Sequence, residues 1–288
     1  MSAHADLAFP DSTAGLRANA VLNNGYVLPW VGLGVFQIKS DAQTAAVVRT
    51  AIEQGYRGID TASLYGNERG VGEAVRSCGV PREELFVTTK VWNDAMRADK
   101  VAEAFEESMR RLGLEYLDLY LLHWPIKGHM VSSWRALETL HRTGRVKAIG
   151  VSNYMIAHFE ELLPHVEIKP MVNQIEYHPY LQSPALIDYC QTRGIQVQAW
   201  SPLMQAGALL RDRTLVEIGA RHGKSAAQVV LRWDLQTRVA TIPKSADPKR
   251  IAENADLFDF ALDADEMAAI ARLDRGQRCG ADPLNFRF

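Results

Sequence analysis

The sequence predicts an α/β fold: a single (β/α)8 TIM barrel with an N-terminal β-hairpin and two extra helices. Three observations carry that expectation. Eight short apolar or β-branched runs alternate with amphipathic stretches. The ends of successive runs lie about 30 residues apart, the size of one βαβ step. No Pro/Gly/Ser-rich linker breaks the rhythm along 288 residues, a length that one α/β barrel fills as a unit.

Taken in order, residues 1–16 read as a flexible arm of small and polar residues, and 17–288 as the barrel domain. Asn24-Gly25, between Ala20-Val21-Leu22 and Tyr26-Val27-Leu28, predicts a hairpin closed by a tight type I′ turn. The eight barrel strands are expected at Leu33–Phe36, Gly58–Asp60, Leu85–Thr88, Leu117–Leu122, Val146–Val151, Met171–Ile175, Ile195–Trp200 and Val239–Ile242. Ala42–Ala51, Val101–Arg111 and Trp134–Leu140 carry apolar residues at helical spacing. Between the last two strands the gap holds two helical patterns, Thr214–Ala220 and Ala226–Leu235. The second is preceded by Ser225 with Gln228 three residues on, a capping box. An open doubly wound sheet is the competing architecture. It would carry G-x-G-x-x-G after its first strand, whereas Gly32-Leu33-Gly34-Val35-Phe36-Gln37 lacks the third glycine. The barrel is the better fit.

Composition narrows the function. Hydrophobic residues make up 47% and charged residues 23%, which argues for a globular chain and against disorder. Thirty-two basic against thirty-four acidic residues leave no basic field to attract nucleic acid. No apolar run reaches the ~18 residues of a membrane span, and the N-terminus does not read as an export signal. Cys78, Cys190 and Cys279 are scattered without disulfide or metal spacing. A cytoplasmic protein with reduced thiols, no metal and no membrane or nucleic-acid partner is expected.

In a (β/α)8 barrel the chemistry sits at the C-terminal strand ends. There the sequence offers Asp60, Tyr65 in the loop beyond it, Lys90 and His123. Each alone has an ordinary structural use, as a turn former, half-buried amphipath, rim charge or core imidazole. Together, from successive strands, they make a proton-donating site. A phenol titrates near 10 in water, too high for efficient donation at neutral pH. A neighbouring ammonium should lower that value, and a carboxylate should keep the ammonium charged. A histidine can then bind a carbonyl oxygen. What this set lacks is a hydride donor.

The segments around these residues resemble the aldo-keto reductases. Gly58-Ile59-Asp60-Thr61-Ala62-Ser63-Leu64-Tyr65-Gly66-Asn67-Glu68 is similar to the first signature of that family. Leu112-Gly113-Leu114-Glu115 through His123-Trp124-Pro125 is similar to the second. Ile242-Pro243-Lys244-Ser245 with Arg250-Ile251-Ala252-Glu253-Asn254 is similar to the third. Gly150-Val151-Ser152-Asn153, Asn173-Gln174 and Trp200-Ser201-Pro202-Leu203 follow in the family's order. The resemblance implies a barrel that binds NADPH in an extended pose across the strand ends, with Asp60, Tyr65, Lys90 and His123 as its tetrad and Tyr65 as proton donor. It places Ser152, Asn153 and Gln174 on the nicotinamide carboxamide and Trp200 against the nicotinamide ring, with Ser201 and Leu203 beside it. Lys244, Ser245 and Arg250 fall around the 2′-phosphate, and Glu253 and Asn254 near the adenine. Many members have Tyr where Trp200 stands.

Asp247 departs from the pattern, because a carboxylate in the phosphate loop should repel a 2′-phosphate. NADPH is still expected to be preferred, with NADH a weaker donor. Short segments after Trp124-Pro125 and after Leu273 place the chain nearest the bacterial small-substrate branch, similar to the 2,5-diketo-D-gluconate reductases. Phe36, Trp92 and Trp124 would form an aromatic substrate funnel. The expected substrates are small aldehydes, α-dicarbonyls and keto-sugars, reduced by a monomer. A non-catalytic NADPH-binding barrel, acting as sensor or structural subunit, is the rival from another class. A metal-dependent barrel hydrolase is weaker, because His178 has no second His or Cys at ligand spacing. The P-loop-like run Gly219–Ser225 follows a helix pattern, not a strand, and reads as a helix stop and a cap.

Overall fold

The computed structural model describes residues 15–288. Residues 1–14 of the expected arm lie outside that range, and Gly15–Arg17 form one 3-10 turn. The chain then makes β1 (Asn19–Val21) and β2 (Val27–Pro29), antiparallel with Ala20 opposite Leu28. The hairpin is where it was expected, but its turn is not type I′. That turn needs positive φ at both central residues, and of Asn24 and Gly25 only Gly25 has it, at 82°. Gly25 N donates to Leu22 O and Leu22 N to Tyr26 O. The connection is therefore a three-residue loop with its glycine in the left-handed region, closing a bulge.

Asn23 and Asn24 donate side-chain amide protons to the Pro170 and Lys147 carbonyls, at 3.0 Å each. The Tyr26 hydroxyl donates to buried Asp118, which also accepts from Arg82 and Val87 N. These ties hold the hairpin under the N-terminal strand ends and leave the opposite mouth free.

The barrel strands are β3 (Gly32–Gly34), β4 (Gly58–Asp60), β5 (Phe86–Val91), β6 (Leu117–Leu122), β7 (Val146–Ser152), β8 (Val172–Glu176), β9 (Gln196–Trp200) and β10 (Ala240–Thr241). They pair in parallel and in chain order. Closure comes from a parallel bridge between Val31 and Thr241, with Thr241 N donating to Trp30 O (2.8 Å) and Gly34 N to Pro243 O (3.1 Å). β10 is shorter than the expected Val239–Ile242. Ile242 N still donates to Ala199 O, but Pro243 has no N–H to extend the ladder. β3 stops at Gly34 instead of reaching Phe36, because the chain turns at Gln37, whose φ is 63°. β5 runs on to Val91 and so carries Lys90 inside the strand.

Around the barrel lie α1 (Asp41–Glu53), α2 (Glu68–Ser77), α3 (Asn93–Arg97), α4 (Val101–Leu112), α5 (Met130–Arg142), α6 (Ile156–Leu162), α7 (Pro184–Thr192), α8 (Arg213–His222), α9 (Ala226–Gln236), α10 (Pro248–Ala255) and α11 (Ala264–Ala271). α8 and α9 both lie between β9 and β10, so this crossover carries one helix beyond the one that a (β/α)8 unit needs. Gly223 ends α8 at φ 66° and Ser225 opens α9 with its capping box to Gln228, so the P-loop-like run is a stop followed by a cap. No helix among the described residues is long and apolar enough to cross a membrane.

α2 packs close to α1 and α4 because its inner positions are glycine. A Cβ on Gly70 would stand 2.3 Å from Asp41 O, and one on Gly72 1.8 Å from Leu112 O. Buried Glu68 strengthens the same corner, accepting from Thr89 Oγ1 (2.6 Å) and Arg111 Nε (2.5 Å). Gly72→Ala forces α2 away from α4, and we expect it to lower stability by about 1–3 kcal/mol. The shift in urea midpoint measures this; an unmoved midpoint would contradict the packing.

Candidate active site

At the C-terminal strand ends the β4 residue Asp60 is followed by Thr61, Ala62 and a 3-10 turn, Ser63–Tyr65, that Gly66 closes in the left-handed region. Buried Asn67 fastens this loop: its carbonyl accepts from Thr61 Oγ1 and its amide donates to Val35 O and Ile38 O. Ser63 Oγ donates to Lys90 O (2.9 Å). The turn thereby swings the Tyr65 hydroxyl back toward β5.

Lys90 is fully buried, and its ammonium has three protons to place. Nζ lies 2.5 Å from Asp60 Oδ1, 2.9 Å from Thr61 O and 3.4 Å from Tyr65 Oη. Burial alone would push the lysine down, but Asp60 and Tyr65 more than offset it and hold the ammonium above the ordinary lysine value. Burial pushes the Asp60 carboxyl up, against the pull of Lys90 and of the Gln174 amide, which donates to Oδ2 at 2.7 Å. For Tyr65 the sequence expectation needs correction. Burial raises the phenol and outweighs the lowering by Lys90, with Asp60 adding to the rise. The resting side chain is a protonated phenol beside a fixed cation.

His123 follows β6, with its ring edge-on to Tyr65 (centroids 5.9 Å apart) and to Trp92 (5.1 Å). Burial, and then the Lys90 charge, hold it well below the ordinary histidine value. Its Nδ1 has no hydrogen-bond partner among the described residues. The ring is therefore neutral at pH 7, and one of its nitrogens is a donor.

A cleft of about 610 Å³ opens over these groups, within the range of small-molecule and cofactor sites. Every residue that the sequence placed on a cofactor lines it: Ser152, Asn153, Gln174, Trp200, Ser201, Leu203, Lys244, Ser245, Arg250, Glu253 and Asn254. Asn153, at φ 65°, donates from its amide to His123 O and Ser152 Oγ and accepts from Trp200 Nε1 (2.9 Å), which fixes the indole ring. Asp247 is the N-cap of α10. Its Oδ1 accepts from Lys249 N (2.9 Å) and Arg250 N (3.3 Å), and Oδ2 lies 3.9 Å from Arg250 Nε. Phe36 (49% exposed), Trp92 and Trp124 line the other end of the cleft.

Several groups in and around the cleft were not found from the sequence. Phe288 stacks on Trp92 (5.9 Å, 6°) and meets Trp124 edge-on, and Phe286 tilts against Trp124. Upstream of them, Cys279 N and Gly280 N donate to buried Glu176 at the end of β8. A Cβ on Gly280 would lie 2.4 Å from the Trp200 ring. Residues 279–288 thus cross the mouth, clasped at Glu176. Glu176, His178 and Cys279 offer ligand atoms within 4.8 Å of one another, a grouping hidden from spacing because Cys279 lies so far along the chain. The Glu176 oxygens are already engaged by the two backbone N–H groups and His178 Nε2 (3.1 Å). Gln198, beneath Gln174, was missed too; its only signal was a polar residue inside an apolar strand run.

Comparison with known proteins agrees with this geometry. The description "Aldo/keto reductase family" matches residues 31–275. The glyoxal reductase of Bacillus subtilis (strain 168) is 52% identical over 273 residues, covering 95% of this chain and 99% of that protein. The crystal structure of an aldo-keto reductase enzyme from a Medee basin deep-sea metagenome library superposes with a TM-score of 0.91 at 44% identity, covering 93% of this chain and 100% of that one. A Gox0644 mutant crystallised in complex with NADPH gives 0.89 at 43% identity, covering 94% and 99%.

The sign of the His123 shift carries a consequence for acid stability. The folded ring resists protonation, whereas the unfolded histidine takes a proton near pH 6.5. Stability from this group is therefore lost as pH falls below that value. In an NMR titration of the folded protein, the His123 ring should stay neutral from pH 8 to about 6; a midpoint near 6.5 would contradict its burial.

Proposed function

The chain belongs to the aldo/keto reductase family and is an oxidoreductase, and we propose that its reaction is the NADPH-dependent reduction of small aldehydes, α-dicarbonyls and keto-sugars to alcohols, with Tyr65 as proton donor. The observation that carries the reading is the buried Lys90 ammonium, clamped by Asp60 and Thr61 and touching the Tyr65 hydroxyl at the edge of the cleft. An intact site of this kind argues against a purely binding role.

The residues present suit the cofactor. Lys244 and Arg250 are exposed cations at one end of the cleft, the groups that charge-assisted bonding to a phosphate needs. Ser245 and Asn254 are buried polar partners beside them, with Glu253 on the same helix. At the other end Ser152, Asn153 and Gln174 would hold the carboxamide, and Trp200, locked by Asn153, presents a flat apolar face. When bound, the cofactor supplies the hydride that the carbonyl carbon receives. The neutral His123 donates a hydrogen bond to the carbonyl oxygen and orients it. Tyr65 then gives its proton to that oxygen, and Lys90 stabilises the phenolate left behind.

The Asp247 carboxylate is turned onto the α10 N-terminus and Arg250, which offsets much of its charge. NADPH therefore stays preferred, with NADH the weaker donor. The relative that reduces glyoxal supports an α-dicarbonyl substrate, and the aromatic walls of Phe36, Trp92, Trp124 and Phe288 leave room for a small one. One chain completes the cleft by itself, which supports a monomer, and the reading extends to a cytoplasmic one.

Tyr65→Phe keeps the ring and removes the proton. We expect kcat with methylglyoxal to fall by about 10²–10⁴ while NADPH binding stays within about threefold; turnover near wild type would reject Tyr65 as the acid. For Lys244→Ala the expected change is a rise of about tenfold in the KM for NADPH with that for NADH nearly unmoved. Equal rises for the two cofactors would show that Lys244 does not meet the 2′-phosphate.

A further inference from the structure

Gln198 on β9 is the direct cross-strand partner of Gln174 on β8. Both are buried, at 3% and 1% exposed. Alternate residues of a strand share a face, so Gln198 lies on the same side as Trp200, one layer deeper in the barrel. Gln174 lines the main cleft; Gln198 does not, and instead borders a small void with Asp60 and Thr88.

The Gln174 amide nitrogen has two protons to give. One goes to Asp60 Oδ2 at 2.7 Å and the other to Gln198 Oε1 at 2.8 Å. Both protons are used, and both neighbours are acceptors. An amide turned end for end would set its oxygen against a carboxylate and a carbonyl, so this orientation is the one the neighbours allow. Gln174 Oε1 is the atom left over. Among the described residues it accepts no hydrogen bond.

We propose that Gln198 is a positioning residue for cofactor binding: together with Asp60 it pins the Gln174 amide so that Oε1 faces the cleft as an acceptor for the carboxamide N–H of the nicotinamide. The proposal rests on the reading of Gln174 as a carboxamide holder. Without the Gln198 carbonyl, one buried Gln174 proton is unpaired and the amide is held from one side only. Tyr65, Lys90 and His123 are left in place. The effect therefore falls on cofactor affinity more than on turnover, and equally on NADPH and NADH, since both carry the carboxamide.

A double-mutant cycle tests this. Gln198→Met keeps the side-chain length and removes the carbonyl; Gln174→Ala removes the group it acts through. We expect Gln198→Met to raise the KM for both NADPH and NADH by roughly tenfold, with kcat at saturating cofactor within about threefold of wild type. In the Gln174→Ala background the same substitution should add nothing. A Gln174→Ala variant with unchanged cofactor KM would overturn the carboxamide reading itself. A raised KM in Gln174→Ala but an unchanged one in Gln198→Met would overturn the positioning role alone. An undiminished effect of Gln198→Met in the Gln174→Ala background would overturn it too, by marking a general packing defect. If Gln198→Met fails to fold, Gln198→Asn, whose shorter carbonyl cannot reach Gln174, carries the same expectations.

Discussion

A lysine ammonium buried in a protein interior is tolerable only if its protons are met and its charge is balanced. Removing one partner from such a pair typically costs about 3–5 kcal/mol, because the other charge is left unmatched. At Lys90 the balance is complete: one carboxylate, one backbone carbonyl and one phenol take its three protons. Much of the upper barrel is arranged to keep it so. β4 and β5 are neighbours, which sets Asp60 beside the strand that carries Lys90. Asn67 fixes the loop that returns Tyr65, and Gln174 holds the second oxygen of Asp60 from across the barrel.

The two ends of the barrel divide the work. Below, the hairpin is tied across the N-terminal strand ends through Asn23, Asn24, Tyr26 and the Asp118 cluster. Above, buried polar groups replace aliphatic ones, and the cleft is walled by segments far apart in the chain. The stretch from Cys279 to Phe288 is held over it by Glu176, which clasps its backbone, by Asn93 and Arg97, which donate to Phe288 O, and by the glycine at 280 that leaves room for Trp200.

Much of this was legible in the sequence, for a physical reason. Parallel strands buried on both faces read as apolar runs, so Leu117–Leu122 and its counterparts announce themselves, and the barrel rule then sends Asp60, Lys90 and His123 to one mouth. The misreadings have causes as well. Asn24-Gly25 marks a turn but does not fix its type, since a three-residue loop needs only one left-handed residue. The direction of the Tyr65 shift follows from burial, which neighbours in sequence do not reveal. Gln174–Gln198 and Glu176–Cys279 are pairings of tertiary structure; no local pattern announces a polar partner one strand over or a hundred residues on.

The central claim is that the Lys90 charge enables proton donation by Tyr65 and plays little part in holding the cofactor. The most direct test is the Lys90→Met variant, with methylglyoxal turnover and NADPH affinity measured on the same sample. The account predicts a kcat reduced by about 10² or more with NADPH affinity little changed. Turnover close to wild type, or a loss confined to cofactor binding, would contradict it.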